Sequence, residues 1–185
     1  MNKRILLCVA SITLLSTALI FSIYQYKHSY SAPLNAHGFK KEDIIVNQGY
    51  ALDPNAEHIT KVVLLRNIES LAIAGFEKSE LGLWRDYSIK SSMESPSNGQ
   101  YAIYPLNIMR KSSEGYESEK HLFVATYIDS SNVPLIIGNS NFYLSVDYFT
   151  IDNKTILFAH AIAARNKDQF TSDEVITYIN SHLKK

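Results

Sequence analysis

Beyond its first 26 residues this chain has no cysteine at all; the only one, Cys8, lies inside an apolar run. That excludes a disulfide framework, a thiol nucleophile and a thiolate metal site from the rest of the chain. Cys8 also follows too short an apolar stretch to read as a lipid-modified cleavage cysteine. Glycine is sparse, with 7 residues in 185, and none stands in G-x-G-x-x-G or G-x-x-x-x-G-K order. Phosphate-cradling loops are therefore not expected, and neither is a nucleotide cofactor. The six histidines (28, 37, 58, 121, 160 and 182) show no H-x-H, H-x-x-x-H or H-E-x-x-H spacing, so no metal site is expected either. Charge bias is absent too: 18 basic residues balance 18 acidic ones. Without a basic field, no nucleic-acid partner is expected.

What is present begins at the N-terminus. Lys3 and Arg4 precede an uncharged apolar run from Ile5 to Ile23, and no further charge occurs before Lys27. Such a run is close to the ~20 residues of a spanning helix and longer than the ~15 of a signal-peptide core. Residues 1–26 therefore read as a retained transmembrane signal-anchor, with Tyr24 and Tyr26 at the water interface. The alternative is secretion after cleavage, with sites readable at Ser16–Ala18 and Ser29–Ser31. The basic pair before the run keeps the N-terminus in the cytoplasm and sends the remainder outside. An outside domain with no disulfide fits the bilayer of a bacterial inner membrane and a periplasmic location. Asn153-Lys154-Thr155 matches a glycosylation acceptor, which carries no weight in that setting.

Residues 27–41, polar and punctuated by Pro33 and Gly38, read as a tether; residues 42–185 form one α+β domain of 46% hydrophobic whole-chain composition. A short strand is expected at 44–46. Asp53-Pro54 and the recurrence of Leu64, Ile68, Leu71 and Ala72 predict one early helix over 54–73, although the β-branched "ITKVVLL" and Gly75 argue for two strands. "GLWRDYSIKSS" and "QYAIYPLNI" around Asn98-Gly99 predict a hairpin, and residues 110–120 a loop. "HLFVATYID" and "VPLIIG" predict two more strands. A C-terminal helix follows, capped by Ser172, with Asp173 and Glu174 in its first turn and Ile176, Ile179 and Leu183 on an apolar face that packs on the sheet.

The stretch "SVDYFTIDNKTILFAHA", residues 145–161, predicts a hairpin with a two-residue turn at Asp152-Asn153. That turn pairs Ile151 with Lys154 and sets Ser145 opposite His160, with Asp147 diagonal on the same face. A three-residue loop would instead send His160 to the opposite face. Ser145, Asp147 and His160 are thus the candidate catalytic residues of a small hydrolase, but they lack an elbow turn or a glycine-built oxyanion donor site. A structural polar patch is the expected reading. The acidic pairs Glu42/Asp43 and Glu77/Glu80 carry no set separation for glycoside chemistry and read as solvated loop charges. Twelve tyrosines suit either a recognition surface or strands.

The "MNKR" start with its apolar run, a compact β-rich outer domain and the late "FYLSVDYFTIDNKTILFAHA" hairpin resemble the ToxS and FidL type of small membrane companion. The resemblance implies a non-enzymatic envelope protein that partners and stabilises the sensor domain of a membrane-bound transcription regulator. An immunity or inhibitor protein facing the periplasm is the rival binding class.

Overall fold

The structure, a computed structural model, describes residues 3–27, 29, 31–51, 59–66, 70–78, 84–94, 100–112, 115–129, 133, 136, 138–164 and 170–183. Two antiparallel four-stranded sheets stack face to face, with a helix on each outer side, so the body is α+β as the sequence predicts. The first sheet has the order β1(Ile44–Ala51), β2(Ile59–Arg66), β3(Ser70–Lys78), β4(Trp84–Glu94). The second has the order β5(Ala102–Ser112), β6(Gly115–Ile128), β8(Lys154–Ala163), β7(Phe142–Ile151).

Residues 59–66 and 70–78 are strands, which corrects the early helix expected over 54–73; residues 52–58 and 67–69 lie outside the described set. The physical reason is burial on both faces. Val62, Val63, Leu64 and Leu65 are all fully buried, the first and third towards the second sheet, the others towards the outer helix. A strand covered on both sides loses its period-two alternation, and an unbroken apolar run imitates a helix.

A second correction concerns pairing. The strands either side of Asn98-Gly99 do not pair with each other: β4 pairs with β3 and β5 with β6, so the connection crosses from one sheet to the other. Asn98-Gly99 itself lies outside the described residues. A third concerns the expected loop at 110–120, most of which is ladder: Arg110 pairs with Glu117 and Lys111 with Tyr116, closing a β5–β6 hairpin. The strand expected at "VPLIIG" falls largely outside the described residues, although Ile136 is buried beneath the C-terminal helix.

Helix α1(Lys3–Lys27) covers the apolar run, and its large side chains from Val9 to Tyr24, such as Leu14 at 74% exposure, are bare on every side. Among the residues described to their side chains, which in α1 run from Cys8 to Tyr24, no helix is long and apolar enough to cross a membrane. Short α2(Ser31–Ala36) follows, in the stretch read as a tether. Leu34 and Phe39 there are fully buried against Val63, Leu65, Ala72, Ala74 and Phe76 on the outer face of the first sheet.

On the far side, α3(Ser172–Leu183) packs on the second sheet as expected, through Val175 and Ile179 onto Leu157, Ala159 and Ala161. Its cap is Thr171 and not Ser172. Thr171 Oγ1 accepts from the Glu174 amide at 3.2 Å, and Glu174 Oε2 accepts from the Thr171 amide at 2.7 Å, a reciprocal capping box.

Candidate functional site

The late hairpin forms in the predicted register. Asp152 (φ 49°) and Asn153 (φ 60°) occupy the left-handed region that a two-residue turn of this hand needs, and short polar side chains tolerate it. Ile151 then pairs with Lys154, Asp147 with Phe158 and Ser145 with His160. All three candidate residues therefore face the first sheet, on the same side as buried Phe158 and Ile156.

Sharing a face does not make them a unit. β7 is an edge strand, and Ser145 and Asp147 are exposed on it. His160 is half-buried and turns the other way, towards β6. Its Nε2 lies 2.8 Å from Nδ1 of His121, one proton shared between them, while its ring stacks on Phe123 with centroids 4.2 Å apart. Among the described residues no hydrogen bond joins His160 to Ser145 or Asp147. Ser145 thus sits opposite a histidine that is committed elsewhere.

His121, Glu119 and Tyr50 complete a cluster that the sequence reading did not assemble. β6 lies beside β8, with Phe123 opposite His160 and His121 opposite Ile162, so the two histidines are diagonal neighbours on one face. His121 is fully buried. Glu119 Oε1, two residues earlier on the same face, lies 2.7 Å from His121 Nε2, a contact that is an ion pair when His121 is protonated and lacks straight hydrogen-bond alignment. From the first sheet, Tyr50 sets its ring edge-on to both imidazoles, at 5.9 Å from His121 and 5.7 Å from His160. Its hydroxyl donates to Gln48 Oε1 at 2.6 Å. Burial pushes the Tyr50 phenol up to about 12. Burial, and secondly the neighbouring His121, pull the His160 imidazole down to about 4.

A second polar junction ties the sheets at the other end of β8. Arg66, at the end of β2, donates through Nη2 to Asp152 Oδ2 at 2.9 Å and through Nε to the Tyr127 hydroxyl at 3.2 Å. Lys154 lies over the same tyrosine ring, 5.3 Å from its centroid.

Elsewhere, an open cleft of about 450 Å³ lies between one side of α3 and the start of β7, with Asn139, Asp173, Glu174 and Ser181 on its walls. Its polar groups are mostly occupied by the fold: Asn139 Oδ1 accepts from the amides of Asn141 and Phe142, and Glu174 closes the α3 cap. Among the described residues no three His, Cys, Asp or Glu side chains gather as a metal site.

The arrangement can hold and exchange a proton within a seam between two sheets. It presents no serine bonded to a base. The signal for it was the alternation Glu119, His121, Phe123 at the start of an otherwise apolar strand, but only the β6–β8 pairing, skipping β7, brings His160 alongside. Comparison with models of protein families, with curated proteins and with solved structures finds no match.

Proposed function

We propose that this chain is a single-pass envelope protein: residues 5–23 anchor it in a bacterial inner membrane, the N-terminus is cytoplasmic, and the α+β body binds another envelope protein outside. The body is a binding module and not an enzyme. One observation carries the reading, the character of α1. Val9, Ile12, Leu14, Leu15, Leu19, Ile20 and Phe21 are exposed all round that helix, whereas the outer faces of both sheets are covered by the chain's own helices. A helix whose described side chains are apolar on all sides and join none of the cores among the described residues suits an apolar solvent. Its polar groups suit one: Thr13, Ser16 and Thr17 each donate to the carbonyl four residues earlier, at 2.5 to 2.9 Å.

For the partner, the support is specific in place. Tyr143, 62% exposed on edge strand β7, is a large aromatic at an unpaired sheet margin, where recognition surfaces concentrate such residues. The resemblance to ToxS and FidL type companions points to the sensor domain of a membrane-bound regulator. A hydrolase is the reading this geometry favours least, because Ser145 lacks a base.

The test is photocrosslinking in the native membrane from a benzoylphenylalanine placed at Tyr143, followed by identification of the adduct. A regulator sensor domain as the principal adduct supports the companion reading, and a toxin moves the chain to the immunity class. No adduct from Tyr143 while the chain is present and membrane-bound removes the β7 surface. Recovery of the body as a free, shortened soluble species removes the anchor.

A further inference from the structure

The two sheets are joined unequally around their rim. On one side the chain itself crosses from β4 to β5, and β3 and β4 lie directly against β5 and β6. On the other side the margins are β1 and β7, the edge strands of different sheets. What bridges that open side, at the end near Ala51, is Tyr50 of β1 resting on Phe123, His160 and His121. We propose that the His121–His160 pair is an acid-sensitive latch on this open side, holding β1 against the second sheet with one shared proton and releasing it when a second proton enters.

The stoichiometry follows from geometry. Two imidazole nitrogens 2.8 Å apart need one hydrogen between them: one nitrogen donates and the other accepts. With His121 Nε2 turned to Glu119, the pair can exist neutral, or with one charge on His121, and keep its contact in both forms. A second proton from solvent makes both facing nitrogens donors. Each then carries a hydrogen and a positive charge towards the other, and the contact becomes repulsive.

The neighbours decide what that repulsion does. His121 is fully buried and stands beside Glu119, so it stays, and His160 is the ring that can move outwards. Asp147 on β7 faces the same side one register step from His160 and is exposed, ready to receive the displaced imidazolium. From the first sheet the facing ionisable groups among the described residues are Tyr50 and, two strands further along the same row, Glu77. β5 contributes uncharged Leu106 opposite His121. Displacing the His160 ring takes away one of the three rings on which Tyr50 rests and leaves it only His121 and Phe123. Edge strand β1, paired on one side only, is the element that then loosens. The inference goes beyond the membrane reading and does not depend on it.

Hydrogen–deuterium exchange of the full chain in mild detergent tests the latch, at about pH 7.5 and about pH 5 and corrected for the intrinsic pH dependence of amide exchange. The expected result is a corrected gain of roughly tenfold in the exchange of residues 44–51 at the lower pH, with β5 unchanged, since one unit of proton affinity is a factor of ten. The pair His121→Asn with His160→Gln keeps nitrogen or oxygen at the Nδ1 and Nε2 positions and cannot be charged. It is expected to abolish the gain. An identical gain in the double variant, or unchanged protection of 44–51 in the natural chain, overturns the proposal. If the double variant does not fold, imidazole nitrogen NMR of the natural chain decides: two steps at least one unit apart support the shared proton, and two independent titrations near the ordinary histidine value overturn it.

Discussion

His160 shows how a residue's position can be legible while its role is not. Its strand, its face and its partner across the hairpin all follow from alternation and a two-residue turn, and the register matches. Its hydrogen bond runs to a strand 39 residues earlier in sequence, and nothing local encodes that contact. The energetic consequence has a definite sign. In the folded chain His160 holds its proton only below about pH 4, against 6.5 for a free imidazole, so between those values the unfolded chain binds more protons. Its contribution is complete above pH 6.5 and is lost as pH falls towards 4. Because the ring is only partly buried, the loss is discounted to about 1 to 2 kcal/mol. Urea unfolding at about pH 7 and pH 4.5 should show that difference in the natural chain and a smaller one in His160→Gln; equal slopes against pH would refute the assignment. Gly75 is the other single-residue constraint. A Cβ there would collide with the ring and hydroxyl of Tyr104, itself 1% exposed and facing Phe123, so neither side can give way. Gly75→Ala should cost about 2 to 3 kcal/mol, read by the urea midpoint. Sequence reading saw only a break there, because the partner comes from the other sheet.

At the scale of elements, legibility tracks one-sided burial. β7 alternates along its length and α3 presents one apolar stripe, and both are found where the sequence puts them. β2 and β3 are buried on both faces, and there the helical and extended readings could not be separated. The β4-to-β5 crossing was illegible for a different reason: a turn dipeptide signals reversal of the chain but not which sheet the next strand joins. Element ends carry their own tests. Removing the Thr171 hydroxyl leaves the Glu174 amide without its acceptor, so Thr171→Ala should lower stability by about 1 kcal/mol. Ser172→Ala, at the position the sequence suggested as the cap, should change it by less than about 0.5 kcal/mol. Paired thermal melts that rank the two variants the other way would move the cap back to Ser172. The Asp152-Asn153 turn gives a second contrast. Asn153→Gly relieves a left-handed backbone and should be neutral or slightly stabilising, whereas Asp152→Ala keeps the strain and also breaks the exposed half of the Arg66 junction.

Taken as a whole, the molecule has four layers: α2 with Phe39, the first sheet, the second sheet and α3. Under the proposed anchor, the stretch 27–41 decides how the body would meet a membrane. As a polar tether it would hold the domain away from the bilayer. Yet α1 ends at Lys27, α2 begins at Ser31, and Leu34 and Phe39 are fully buried on the first sheet, with a backbone bond from the Phe39 amide to the Leu34 carbonyl at 3.0 Å closing the turn between them. Only three residues then separate the apolar helix from the packed body, a span of about 10 Å at full extension. If α1 is membrane-embedded, that sets the α2 side of the first sheet close to the headgroups and turns α3 outwards. The same packing makes the segment part of the folding unit, which a melt can decide. Phe39→Ala empties a buried ring site beside Val63 and Phe76 and should cost about 3 to 4 kcal/mol in the full chain in mild detergent. A free tether residue changed to alanine shifts stability by no more than about 0.5 kcal/mol. Glu42→Ala, exposed just beyond the segment, should serve as the control and stay near the natural midpoint. A Phe39→Ala midpoint indistinguishable from the control would detach residues 31–39 from the body and restore the lifted arrangement.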